Sequence, residues 1–282
     1  MAWLALRGQP LTDERGVPLS IEAVLFDKDG TLSISEPMLK TLAEARVFQC
    51  VALAVERHPA LLRGTGADAV NTANELETLL RRAYGLSDDG IHPAGTTAVG
   101  SRTHNLISTA TVLSQVGFGW PEALELGQAV FAATDGLHGA GSRQPPQPTT
   151  GLHDLVEQLV AAGVRCAVIS NDEMAGIEAF LHNHGLASSF AGLWSAEHRP
   201  CKPDPAAVQG LCGQLGIAPQ RCALIGDANS DLRMARAAGV PVVLGYTAAW
   251  GMPPPLDPDF EQLQHWQELQ VVAGTGVPQP AD

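Results

Sequence analysis

The stretch "VLFDKDGTL", residues 24–32, decides how the chain is read. Val24, Leu25 and Phe26 form an apolar run suited to a buried strand, and Gly30 marks a sharp turn beyond it. Asp27 and Asp29 therefore stand at the C-terminal end of a strand, on one face of an extended segment, with Lys28 between them. A polar strand-to-loop turn explains such residues, since Asp and Gly are ordinary turn formers. A metal-assisted nucleophile explains them as well. The rest of the chain has to choose.

Three further apolar runs read as strands: "VRCAVIS" (164–170), "CALIGD" (222–227) and "VPVVLG" (240–245). Their hydrophobicity is continuous rather than alternating, as in a strand covered on both faces. A shorter run, "FAGLWS" (190–195), adds another. Helical patterns at about 152–162, 173–184, 205–215 and 230–238 separate them, which predicts an α/β doubly wound parallel sheet. Residues 36–145 differ, because "PMLKTLAEARVFQCVALAVERHP", "ADAVNTANELETLLRRAYG" and "PEALELGQAVFAATDG" all have helical periodicity. The expected organisation is a core of 1–35 and 146–282, interrupted by a helical domain at 36–145. The segment "PPPLDPDFEQLQHWQEL" suggests a loop and a last helix, followed by a frayed tail, "GTGVPQPAD".

The 282 residues suffice for a full core, and a composition of 45% hydrophobic and 17% charged residues belongs to an ordinary globular protein. The formal net charge of -13 argues against a nucleic-acid or anionic-membrane partner, whose phosphates it repels. An anionic substrate must then be captured by local cations and a metal. Cys50, Cys166, Cys201, Cys212 and Cys222 are scattered, with no CxxC pair. Together with a first apolar stretch too short for a signal peptide, they lead us to expect a cytoplasmic protein.

In an open α/β sheet, ligands bind beyond the carboxyl ends of the strands. Those ends here carry Asp27–Lys28–Asp29–Gly30–Thr31, then Ser170–Asn171–Asp172, then the loop "RPCKPDP" with Lys202, then "GDANSD" with Asp227 and Asp231. Each has a plain alternative: Ser170 and Asn171 as helix caps, Lys202 as a surface lysine, Asp227 and Asp231 as a capping arrangement. Their joint occurrence, in order and each at a strand end, favours chemistry. Two of the chain's three lysines also lie in these motifs. A carboxylate that attacks phosphorus splits one difficult hydrolysis into two easier steps. It needs a hard cation against charge repulsion, and oxygen donors without a His/Cys cluster specify Mg²⁺. A second carboxylate must move protons, while a lysine and a hydroxyl hold the phosphoryl oxygens.

The four ordered motifs "DKDGTL", "ISN", "KPDP" and "GDANSD" resemble those of the haloacid dehalogenase-like hydrolase superfamily, in its phosphoglycolate-phosphatase-like branch. The resemblance covers about 20–35 and 150–272. It implies a Rossmann-like core with an inserted α-helical cap at 36–145, and a Mg²⁺-dependent phosphatase of a small phosphorylated metabolite. It makes Asp27 the nucleophile and Asp29 the general acid/base, whose main-chain carbonyl also meets the metal. Asp227 becomes a direct metal ligand and Asp231 orients a metal-bound water. Ser170, Lys202 and the backbone around Asn171 and Gly30 would hold the phosphoryl group.

Asp29 separates this chain from dehalogenase-type members, which lack a second carboxylate at that position. A phosphosugar mutase shares all four motifs and stays open as an alternative. A non-enzymatic binding module would have lost a motif carboxylate, and none is missing. Within the helical domain, "HPAGTTAVGSRTHN" (92–105) reads as a Gly- and Thr-rich loop. Its Arg102 and His104 are candidates for a substrate carboxylate, against the plain reading of a surface loop.

Overall fold

A computed structural model describes residues 2–59, 67–137 and 145–273 of the chain. It divides into two compact units, Met1–Ile34 with Gln147–Asp282, and Ser35–Pro146. Residues 60–66 and 138–144, and the tail 274–282, lie outside the described residues.

In the first unit, strands β1 (Ala2–Leu6), β2 (Gln9–Pro10), β3 (Ser20–Ile21), β4 (Ala23–Phe26) and β5 (Ser33–Ile34) precede the insertion. After it come β6 (Gln147–Pro148), β7 (Arg165–Ile169), β8 (Phe190–Trp194), β9 (Cys222–Gly226), β10 (Val242–Tyr246), β11 (Glu261–Leu263) and β12 (Leu269–Ala273). Six of these form a parallel sheet in the order β11-β10-β9-β4-β7-β8. The first strand in sequence thus sits at the centre, and the chain winds outward from it in both directions. That makes the gap between β4 and β9 the topological switch point, where open α/β sheets bind ligands.

The continuous apolar runs follow from this layering. Val24 and Phe26 of β4 enter one hydrophobic cluster, with Leu152, Leu155 and Ile177. Ala23 and Leu25 enter the other, with Val208, Leu211 and Leu232. Because successive side chains point to opposite faces, a strand covered on both must be apolar at every position.

One expectation is corrected near the end of the chain. Residues 261–273 form β11, a short 3-10 turn at Trp266–Glu268 and β12, not a last helix. The β-branched pair Val271 and Val272 extends into β12, which pairs antiparallel with β1 in the register Leu4↔Val271. The opening "AWLAL" is accordingly a strand, and β12, β1 and β2, with β3 beside β1, make a second, antiparallel sheet. Trp266 joins this sheet to the core. Its ring stacks on Tyr246 at 4.3 Å and meets Phe26 edge-on at 6.0 Å.

The second unit is helical: α1 (Glu36–Arg57), α2 (Ala67–Tyr84), α3 (Thr96–Val99), α4 (Arg102–Gln115) and α5 (Trp120–Thr134). Pro at the start of α1 and α5 supplies a pre-set φ where no amide donor is needed. The two helices pack against each other, and their buried faces carry Leu39, Leu42, Val47 and Cys50 on α1 and Leu126, Val130 and Phe131 on α5. The expected Gly- and Thr-rich loop at 92–105 is largely helical instead. Ser101 caps α4, where it accepts the amide of His104, so the run of small residues supplies helix starts rather than a long loop. No helix among the described residues is long and apolar enough to cross a membrane.

Candidate active site

Each strand end at the switch point delivers one group. Asp27 directly follows β4, and its amide donates to the carbonyl of Ile225 in β9 at 2.9 Å, so the two strands stay paired up to the carboxylate. Asp227 directly follows β9. Asp231 stands in the first turn of the helix Asn229–Ala237, where the positive end of the helix dipole favours an acidic group. Gly226 lets that helix approach, because a Cβ there would lie 2.9 Å from Cβ of Asp231.

One carboxylate oxygen from each of the buried residues Asp27, Asp227 and Asp231 lies within 4.8 Å of the other two. Lys202 joins the cluster from its loop. Its Nζ donates to Oδ1 of Asp27 at 2.5 Å and to Oδ1 of Asp231 at 2.9 Å, with 2% of its side chain exposed. Burial opposes charge on Lys202, but Asp231 and Asp27 outweigh it and hold the ammonium above its usual range. Burial pushes the carboxyl of Asp27 up to about 6, with Lys202 working against the rise and Asp231 and Asp29 adding to it. Burial also pushes Asp227 upward, reinforced by Asp27 and Asp231 and opposed by the Trp250 hydrogen bond and Lys202. Three carboxylates against one ammonium leave an excess of negative charge in a dry site. Such a site accepts a divalent cation through oxygen donors alone.

Asp29 lies outside this three-carboxylate group. Its Oδ1 accepts from Nζ of Lys28 at 2.6 Å, and Lys28 also stands 3.1 Å from Oδ2 of Asp172. Ser170 follows β7, and its hydroxyl accepts the amide of Asp172 at 3.1 Å, so the Ser170–Asn171–Asp172 end is folded back on itself. The amide of Gly30 donates to the carbonyl of Ser33 at 3.0 Å inside the turn. What Gly30 contributes visibly is space. With φ at 85°, it lies against the Asp227 carboxylate and the Trp250 indole, and a Cβ would collide with both.

Arg102 and His104 have partners inside the helical unit. Arg102 makes a forked pair with Asp135, at 3.1 Å from Nε and 2.7 Å from Nη2 to Oδ2. His104 completes the capping box of α4 by accepting the amide of Ser101 on Nδ1 at 3.2 Å.

Trp250 escaped the sequence reading, which placed Thr31 and Asp172 at strand ends but gave them no role. Trp250 donates to Asp227, Thr31 lies 3.3 Å from the same carboxylate, and Asp172 pairs with Lys28. Thr31 sits within a quoted motif and Asp172 directly follows one, but Trp250 lies nineteen residues beyond the last, where no local pattern signals it.

A model of the haloacid dehalogenase-like hydrolases matches residues 21–239. The chain is 31% identical over 272 residues to a phosphoglycolate phosphatase of Rhodospirillum rubrum, covering 92% of each. It is 27% identical over 243 residues to a phosphoglycolate phosphatase of Pseudomonas putida, covering 85% of this chain and 74% of the relative. Among solved structures, a predicted phosphoglycolate phosphatase from Haemophilus somnus superimposes with a TM-score of 0.54. That match is 17% identical and covers 86% of this chain and 93% of the other. At that identity it speaks for the fold alone.

Proposed function

The chain belongs to the haloacid dehalogenase-like hydrolases, as a phosphatase of their phosphoglycolate-phosphatase-like branch, and from that premise we propose that it hydrolyses a small phosphomonoester through an aspartyl-phosphate on Asp27. The observation that carries this reading is the buried group of Asp27, Asp227, Asp231 and Lys202 at the switch point of the sheet. The names of the relatives make phosphoglycolate the first substrate to try.

The donor set fits Mg²⁺, being three buried carboxylates with no histidine or cysteine among them. Asp27, Asp227 and Asp231 would hold the ion, together with the main-chain carbonyl of Asp29. Once bound, Mg²⁺ supplies the positive charge that lets a carboxylate approach a phosphate dianion.

The chain's own residues divide the remaining work. A carboxylate oxygen of Asp27 attacks phosphorus, and the bond from phosphorus to the leaving oxygen breaks. Asp29 gives its proton to that oxygen, so the alcohol departs neutral. Asp29, now a carboxylate, takes a proton from water as the water attacks the phosphorus of the aspartyl-phosphate. Inorganic phosphate leaves and Asp27 is regenerated. Lys202 and the Ser170–Asn171 strand end hold the phosphoryl oxygens while their charge is redistributed. The helical unit at Ser35–Pro146, in this reading, acts as a cap that selects the substrate.

Assay against a panel of phosphomonoesters with Mg²⁺ tests the proposal. Phosphate release from phosphoglycolate is expected, lost with EDTA and lost in Asp27→Asn. Full turnover in metal-free buffer, or wild-type turnover in Asp27→Asn, would overturn it. Isomerisation of a phosphosugar without net phosphate release would establish the mutase instead.

A further inference from the structure

Lys28 has no part in the reaction just described, yet it is held as firmly as any residue of the site. Only 2% of its side chain is exposed, and its Nζ lies 5.9 Å from the centre of the Phe180 ring. Removing an ammonium from water costs several kcal/mol unless partners offset it. Its partners are Oδ1 of Asp29, at 2.6 Å, and Oδ2 of Asp172, at 3.1 Å.

Asp172 is itself anchored. Its Oδ1 accepts the amide of Glu173 at 2.8 Å, and its carbonyl accepts the amide of Ala196 at 2.9 Å. Gly176 makes room for it, since a Cβ there would run into the Asp172 carboxylate. On the opposite side, the Ser33 hydroxyl lies 3.1 Å from the carbonyl of Lys28 and 3.4 Å from Oδ1 of Asp29. A continuous chain of contacts thus runs from the loop after β7, through Lys28, to the second carboxylate of the opening motif.

We infer that Lys28 is a positioning residue for Asp29, anchored by Asp172, and that it fixes the direction from which the Asp29 carboxylate exchanges its proton. The inference rests on the reading of Asp29 as general acid/base. Proton transfer depends steeply on placement, and a carboxylate left to rotate loses part of the roughly 10²–10⁴-fold that a positioned acid–base contributes.

A double-mutant cycle on the full chain, assayed with Mg²⁺ on an alkyl phosphomonoester, tests it. Asp29→Asn is expected to lower kcat by about 10²–10⁴-fold. Lys28→Met is expected to lower kcat by about 10–100-fold with KM little changed, because the route passes through Asp29 and not through substrate binding. In the Asp29→Asn background, Lys28→Met should then cost nothing further. If Lys28→Met costs the same factor in both backgrounds, Lys28 acts elsewhere and the inference fails, while the role of Asp29 stands. Wild-type turnover in Asp29→Asn removes the reading of Asp29 itself. Should Lys28→Met leave Asp172 buried without a cation and fail to fold, Lys28→Met with Asp172→Asn takes its place in the same cycle, with the same deciding outcomes.

Discussion

Trp250 donates its indole N–H to Oδ2 of Asp227 at 2.7 Å, inside the buried carboxylate cluster. The other oxygen of that carboxylate lies 3.3 Å from the Thr31 hydroxyl, so Asp227 is oriented from two sides. Groups that orient a metal ligand contribute about 10–100-fold in affinity. Trp250→Phe keeps most of the ring and removes the donor. It should raise the Mg²⁺ concentration for half-maximal activity by about that factor. The kcat at saturating Mg²⁺ should stay within a few-fold. An unchanged magnesium activation curve would mean the indole fills space and does not orient Asp227.

The cluster also sets a pH dependence. Burial raises Asp27 from its ordinary 3.8 to about 6, against the opposing pull of Lys202. A carboxyl raised on folding binds its proton more tightly in the folded state. Its contribution to stability is therefore complete below about 3.8 and is lost as pH rises through about 6. In EDTA, Tm should fall between about pH 4 and pH 7, and it should fall less in Asp27→Asn, which has no such group. Added Mg²⁺ should reverse the trend at the upper end, since it binds the ionised carboxylates and stabilises the folded state. Equal slopes for wild type and Asp27→Asn in EDTA would remove Asp27 as the source.

The parts of this architecture that were legible in the sequence are those fixed by local pattern. Val24–Phe26 and Ala223–Ile225 are apolar at every position because both faces of the sheet are covered, and the motif carboxylates follow immediately after. The pairing of β1 with β12 was not legible, because it joins residues more than 260 positions apart and neither strand carries a turn signal toward the other. The same holds for Trp250, whose role exists only because the chain returns to Asp227 after β10. At Arg102, a Gly- and Thr-rich composition suggested a loop, but those residues cap and start helices, and the arginine pairs with Asp135. Small polar residues serve both purposes, and composition does not separate them.

The N-terminal strand offers a test of the fold away from the chemistry. Leu4 is fully buried in the same cluster as Trp266 and Leu269, opposite Val271 of β12. Leu4→Ala should destabilise by about 2–5 kcal/mol, through lost burial and the cavity left behind. In a protein of this size that lowers Tm by roughly 5–15 °C. Thermal unfolding measures it directly, and kcat well below the transition should change by less than about two-fold. An unchanged Tm would show that β1 is not part of the folded core.

Gly30 and Gly163 separate backbone strain from steric access at the site. Both hold left-handed φ, at 85° and 75°. A side chain in that region costs about 1–2 kcal/mol wherever it occurs. A Cβ on Gly163 meets nothing within 4 Å, whereas one on Gly30 collides with the Asp227 carboxylate and the Trp250 indole. Gly163→Ala should therefore lower stability by about that amount and leave kcat and the magnesium requirement unchanged. Gly30→Ala pays the same strain and in addition displaces a carboxylate of the cluster. A misplacement of this kind costs about 10²-fold in turnover, so kcat should drop by that order while the magnesium requirement rises. Steady-state kinetics and thermal unfolding on the two variants decide the matter. Equal kinetic losses, or a Gly30→Ala enzyme with wild-type kcat, would show that close packing of Gly30 against Asp227 is not what holds the cluster in place.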